Sequence, residues 1–330
     1  MKQFLQKKAK LVFLCMLVLL TCTACANPRG RDGKTLADQI IASEETTIDA
    51  SKINYKDISD KKLKKEIKKN IKDGQYTIQP TTFKDSMSKG WFEGLIVWPI
   101  AQIINLISSK TDAGVGIILT TLLIQMLVFV FTRKSQMSTQ RMQEISPEIQ
   151  KIQNKYKDKT DERSKLQMAQ EMQNLYQKYD IHPFGSMLIT FIQLPIMMGM
   201  YYATMRSVSV VSGSFMGISL AGTPLDGFKA LDIACIAIYV LMVIFYIVSM
   251  KLPQWLKKWQ DKKDNVKVKK YAQEETNPMA NSMNMSMYFM TAMICIMYIS
   301  WPMAMSFYWL VSSVIRVCQS LILHQVMNKK

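Results

Sequence analysis

The sequence predicts an all-α membrane protein: a five-transmembrane-helix bundle with a cytoplasmic helical hairpin and an external interfacial helix. Three observations predict it. Apolar runs of span length recur at residues 114–131, 184–205, 230–250, 283–300 and 301–324, and about 20 mostly apolar residues cross a hydrocarbon core. The segments between them alternate between strongly basic and nearly uncharged, the pattern by which Lys and Arg mark the cytoplasmic side. The mean hydropathy near zero therefore averages very apolar and very charged blocks, and does not describe one soluble core.

Among the 330 residues, 42 Lys and Arg outweigh 25 Asp and Glu, a net charge of +17. Such an excess calls for an anionic partner, phospholipid headgroups or ribosomal RNA. Nucleic acid as the primary target is disfavoured, because the basic residues lie in loops beside apolar spans with no DNA- or RNA-binding fingerprint. Cys15, Cys22 and Cys25 cluster near the start, whereas Cys235, Cys295 and Cys318 sit in apolar runs where a thiol packs as a small hydrophobe. No Ser–Lys, Cys–His, metal or nucleotide motif is present, so neither an enzyme nor a cofactor is expected.

Residues 1–24 read as a signal peptide: Lys2, Lys7, Lys8 and Lys10 precede the apolar run 11–20, and small residues precede a cysteine. The ending TCTAC resembles a bacterial lipobox, with Cys25 the expected lipidation site and Cys22 the alternative. Residues 25–86 are polar and poor in aromatics, which predicts a mobile extracellular tether with a short helix around 61–72. Residues 87–111 are apolar, interrupted by Pro99, and carry Trp91 and Trp98, as suits a helix lying in the membrane interface.

The five-helix core of the chain is expected at 112–325, with a short cytoplasmic tail at 326–330. The first span ends at Thr132-Arg133-Lys134, a cytoplasmic flank, and carries Gln125 as its one strongly polar side chain. Residues 133–183 show helical spacing at Ile145, Ile149, Ile152 and Tyr156, and again at Leu166, Met172, Leu175 and Tyr179. Pro147 and the polar break at 157–163 divide them into an antiparallel helical pair. The second span holds Gln193 followed by Pro195, which frees a backbone carbonyl that protein or water must satisfy. A Gly/Ser-rich external loop at 207–228 leads to the third span, and the basic loop 251–282 follows on the cytoplasmic side. The fourth and fifth spans are joined by the uncharged turn at Trp301-Pro302.

The last span carries the most informative pattern. Tyr308, Ser312, Arg316 and Gln319 fall on one helical face. A guanidinium facing lipid costs at least ~2.5–3.5 kcal/mol at mid-membrane, which directs Arg316 inward. Snorkelling is the competing reading, but Arg316 lies about 12 Å of helix from the end of the run.

Together these features resemble the YidC/Oxa family of membrane protein insertases. The resemblance covers roughly residues 88–325. It rests on SPEIQKIQNKYKDK and EMQNLYQKYDIHPFGSM in the hairpin and its exit, FIQLPIMMGMYYA in the second span and MSFYWLVSSVIRVCQ in the fifth. It implies a five-helix bundle around a positively charged, water-accessible groove open to cytoplasm and lipid. The function it implies is insertion and folding of nascent membrane proteins, alone or beside the Sec translocon, without covalent chemistry. On this chain Gln193, Tyr308 and Trp309 match groove positions, and Gln319 matches the Gln of the last span. The family usually places an Arg in the middle of the first span. Here Gln125 stands at that position, and Arg316 is expected to supply the charge from a similar depth, within ~1.5 Å by counting from the helix ends. His182-Pro183 replaces the more usual Asn-Pro, and the tail is too short to reach a ribosome, leaving that contact to residues 257–270 or the hairpin.

The expected groove residues are thus Gln125, Gln193, Tyr308, Trp309, Ser312, Arg316 and Gln319, with Met197, Met198, Met200, Met283, Met285, Met287 and Met290 as a pliable apolar surface. A small channel or transporter using the buried Arg and Gln is the rival class, disfavoured by the lack of a carboxylate–arginine relay or transporter-type repeat. A non-inserting assembly scaffold is the third.

Overall fold

The computed structural model describes residues 28–157, 159, 161–181, 185–263, 289, 291–293 and 295–328. In chain order its elements are β1 (Thr35–Leu36), β2 (Thr46–Asp49), β3 (Ile53–Asn54), α1 (Lys61–Asn70), β4 (Gln75–Ile78), α2 (Phe83–Lys89), a π turn (Glu93–Val97) running into α3 (Trp98–Ser108), and α4 (Ala113–Glu144). Then follow α5 (Ser146–Tyr156), α6 (Glu162–Lys178), α7 (Gly185–Arg206), α8 (Val208–Ser212), β5 (Ser214–Phe215), β6 (Ile218–Ser219), α9 (Pro224–Lys229), α10 (Ile233–Lys263) and α11 (Met303–Asn328). The protein is mostly helical, and α4, α10 and α11 contain stretches long and apolar enough to cross a membrane: Ala113–Met142, Ile233–Gln260 and Met303–Val326. The signal peptide, Cys22, Cys25, His182-Pro183, residues 264–282 of the basic loop, and residues 283–288, 290 and 294 of the expected fourth span, with Met283, Met285, Met287 and Met290, lie outside the described residues.

Two compact units divide the chain, the first from residues up to 121, 193–238 and 300–308, the second from 122–192, 239–299 and 309–330. In the first unit, the region expected to be a mobile tether is folded. β2 pairs antiparallel with β4 from Thr46↔Ile78 to Asp49↔Gln75, and β1 pairs parallel with β3. Ile40, Ile48, Ile53, Ile58, Ile67 and Ile78 bury together with Val208 and Val211. The segment alone has little to bury. It acquires a core because α8 donates two valines from more than a hundred residues away, which local composition does not register. Asp60 caps α1 by accepting from the amides of Lys62 and Leu63.

This module is fastened to the end of α7 by polar contacts. Ile41 N–H donates to Arg206 O at 2.6 Å, and Val208 N–H donates to Ile41 O at 3.0 Å. Asn105, buried on α3, donates to Ile41 O at 2.9 Å and accepts from the Ser207 hydroxyl and the Ser209 amide. Arg206 pairs with Glu93, both largely buried, and its Nε donates to Gln39 O. A buried pair of this kind holds register through its hydrogen bonds more than it adds stability. Pro99 does not end the helix it occupies. Its ring would clash with the carbonyl of Leu95, and the wider π turn at Glu93–Val97 accommodates it. Gly199 of α7 lies so close to this turn that a Cβ there would sit 2.5 Å from Ile96. Met216 and Gly217, both with positive φ, form the two-residue turn between β5 and β6. Met200, expected on a pliable surface, is fully buried and belongs to the core.

In the second unit, α4 runs unbroken past the expected cytoplasmic flank at 132–134 to Glu144. Charged side chains do not terminate a helix when backbone bonding can continue, so the hairpin proper begins at Ser146, with Pro147 in the first turn of α5. α5 and α6 share an apolar seam of Ile145, Leu175 and Ile181, flanked by Ile149, Ile152, Tyr176 and Tyr179. Glu148 meets Tyr179 while Lys155 and Tyr156 meet Glu171, so the contacts run in opposite order and the helices are antiparallel.

Two predictions follow from this packing. Asn105→Leu keeps the size of the side chain but strands three partners, so the 35–78 strands should lose about 2–4 kcal/mol of local stability; hydrogen exchange at the Ile41 and Val208 amides, against α10 as internal reference, measures it. The second concerns pH. Hydrogen bonds from Lys155 and Tyr156 hold the Glu171 carboxyl below its usual range, and the same contact raises Lys155. A depressed carboxylate stabilises above its unfolded pKa near ~4.3 and loses that contribution as pH falls through its lower folded value. The raised Lys155 contributes below ~10.4 and plays no part in that acid window. Amide protection across α5 and α6 should therefore weaken as pH drops through about 4, and Glu171→Gln should flatten the dependence.

Candidate functional site

α4, α10 and α11 place polar side chains at membrane depth in the second unit. Gln125 is 5% exposed and donates from Nε2 to the Ser312 hydroxyl at 3.1 Å. Ser312 and Ser313 are both fully buried. One turn along, Arg316 donates from Nη2 to Ser313 Oγ at 3.0 Å, the i, i+3 spacing that makes side chains neighbours on a helix. Its guanidinium carbon lies 5.9 Å from the Tyr246 ring centre and 5.8 Å from that of Trp309. Trp309 in turn stacks on Tyr298 at 4.9 Å. Gln319 is half-buried on the same face of α11.

Further along α4, Thr132 is fully buried and donates to Val128 O, while Gln136 donates to Thr132 Oγ1 at 2.9 Å. Gln125, Thr132 and Gln136 stand seven and four residues apart, on one face of the helix. The opposite face exposes Leu123, Met126, Leu127, Val130 and Phe131. The helix thus has a polar stripe and an apolar flank, as a span beside a wet or protein-lined interior requires.

The first unit holds a separate polar pair. Gln193 on α7 donates from Nε2 to the Tyr308 hydroxyl at 3.0 Å, and Tyr308 is fully buried. Pro195 lies within α7, two residues beyond Gln193.

Of the residues read from the sequence, Gln125, Ser312, Arg316 and Trp309 come together in the second unit, and Gln193 and Tyr308 in the first. The depth expectation needs correcting. Gln125 meets Ser312 and not Arg316, which lies about 6 Å further along the helix. Counting from residue 131 misjudged depth because α4 does not end there. Tyr246, Ser313 and Thr132 are additions. Thr132 looked like part of a charged flank, and an aromatic in mid-span is too ordinary to single out Tyr246.

The fold and these clusters define a mostly helical membrane protein with hydrogen-bonding side chains and a guanidinium held at the level of its apolar spans. The family model described as 60Kd inner membrane protein matches residues 105–330, which include every residue of both clusters. The chain belongs to this family, the YidC/Oxa family whose motifs it carries. A relative named membrane protein insertase YidC 1 from Streptococcus pyogenes serotype M6 is 30% identical over 237 residues, 72% of this chain and 75% of its own. Membrane protein insertase YidC of Enterococcus faecalis is 31% identical over 237 residues, covering 72% and 76%. Membrane protein insertase MisCA of Bacillus subtilis is 27% identical over 238 residues, covering 72% and 80%.

The Gln125–Ser312 contact is testable by a double-mutant cycle. Unfolding of Gln125→Leu, Ser312→Ala and the double variant in detergent should show a coupling of about 0.6–1.7 kcal/mol. Strict additivity would mean that the hydrogen bond is not made.

Proposed function

We propose that this chain is a membrane protein insertase that inserts and folds integral membrane proteins, lipoproteins among them, through a hydrophilic groove open to the cytoplasm and to lipid. The observation that carries the reading is the guanidinium of Arg316 one turn from the buried Gln125–Ser312 pair, in a member of the YidC/Oxa family. A substrate helix must carry a polar external tail through hydrocarbon, where each unsatisfied backbone group adds several kcal/mol. Gln125, Ser312, Arg316 and Gln319 offer hydrogen bonds and a positive charge partway across, with Trp309 as an aromatic neighbour, and Gln193 and Tyr308 of the first unit offer further polar groups. Release follows because apolar substrate side chains prefer lipid to a wet notch. No step makes or breaks a covalent bond.

In this reading five spans cross the cell membrane. The hairpin at 133–183, the basic loop at 251–282 and the short tail at 326–330 are cytoplasmic. The processed N-terminus is held on the outer face by lipid at Cys25, and the segment 87–111, which exposes Trp91, Leu95 and Leu106, lies in the outer interface. Nascent membrane proteins and phospholipids are direct partners, the Sec translocon a cooperating one, and a ribosome reaches the basic loop or hairpin. Arg316 takes over the charge that the family usually carries on the first span.

Complementation of an insertase-depleted strain tests this. Arg316→Ala should abolish growth and Arg316→Lys should largely preserve it; equal growth of wild type and both variants removes the charge from the mechanism. In proteoliposomes, the chain alone should insert a small single-span substrate without dissipating an ion gradient.

A further inference from the structure

One helix of the N-terminal module is densely basic. α1 carries six lysines and one glutamate in ten residues. Leu63 and Ile67 turn inward to the module core, and Lys64 folds back to donate to Lys56 O. Lys61, Lys65, Lys68 and Lys69 recur at i, i+4, i+7 and i+8 on the opposite face, with Lys62 at its shoulder. All five are exposed, and none forms an ion pair with a described residue.

Helix stability does not account for this face. Lys61–Lys65 and Lys65–Lys69 are like charges at i, i+4, which oppose helix formation. Lys61 and Lys62 stand in the first turn, at the positive end of the helix dipole, and no acid accompanies them there. Charge within the module is also segregated: residues 43–50 include Glu44, Glu45 and Asp49 and no basic side chain. A separation of this kind orients a small module in the field of a charged surface.

The module stands where a bilayer surface is within reach. Its core is completed by Val208, two residues beyond the end of α7. Asn105 ties it to α3, which is followed after four residues by the span-length stretch beginning at Ala113. No long linker therefore separates the lysine face from apolar helices, and exposed charges act over about a Debye length, ~8 Å at physiological salt. A cluster of roughly four to eight lysines on a helix beside a membrane anchor is suited to anionic headgroups. A module built directly onto helix ends favours the surface itself over a soluble polyanion, which a stalked module would meet as well.

We propose that the exposed face of α1, through Lys61, Lys65, Lys68 and Lys69, binds the anionic phospholipid headgroups of the bilayer surface beside the module. The module then braces the ends of α3 and α7 with a strength set by the anionic fraction of the membrane. This surface is independent of Arg316 and of the insertase reading.

The test uses the full-length protein in nanodiscs of zwitterionic phospholipid, with and without phosphatidylglycerol. Two quantities are read: acetylation rates of the four amines by mass spectrometry, and hydrogen exchange of the α1 amides. Acetylation should be about three- to fivefold slower in the anionic discs, and high salt should erase the difference. Lys61→Gln, Lys65→Gln, Lys68→Gln and Lys69→Gln together keep good helix formers at exposed positions, so the module stays folded. Its α1 protection should no longer respond to phosphatidylglycerol, whereas the four Lys→Arg changes should keep the response. Equal acetylation in the two discs, or a lipid response that survives in the glutamine variant, would overturn the proposal. If soluble polyphosphate slows acetylation in zwitterionic discs as much as phosphatidylglycerol does, the face reads a free polyanion and the assignment to lipid is overturned likewise.

Discussion

Every polar group carried into the hydrocarbon layer must find a partner there, and this constraint organises the spans of the second unit. Gln125 and Ser312 satisfy one another from α4 and α11. Ser313 receives Arg316, and Thr132 returns its hydroxyl proton to the backbone at Val128. A polar side chain in lipid costs a few kcal/mol, whereas each hydrogen bond made there returns about 1 kcal/mol. The cluster is thus not a device for stability.

The first unit solves a different problem. A lysine-rich segment with scattered isoleucines buries too little apolar surface to fold by itself. It folds by docking: Val208 and Val211 complete its core, and Asn105, Arg206 and Glu93 supply hydrogen bonds and one buried charge pair. The family-model match begins at residue 105, so most of this module precedes the matched region. Its anchors Asn105, Arg206 and Ser207 lie inside that region.

The hairpin depends on a narrower seam. Ile145, Leu175 and Ile181 form its buried apolar seam, and polar contacts such as Lys155–Glu171 and Tyr179–Glu148 lie along its rim. Exposed pairs of this type set register more than they add stability. An element with so small a core is suited to opening locally.

Periodicity and charge alone determined that the chain is helical and membrane-embedded, where most of its apolar helices lie, and that Gln125, Ser312 and Arg316 are anomalous within them. These are local properties: hydropathy over about twenty residues and the 3.6-residue helical repeat are written in consecutive side chains. Tertiary structure alone decided the rest. It made a presumed tether into a folded module, because the missing apolar surface comes from residues 208–211. It carried α4 to Glu144, because backbone hydrogen bonding ignores a basic flank. It also paired Gln125 with Ser312 and set Tyr246 beside Arg316, contacts between residues far apart in the chain that no local pattern encodes.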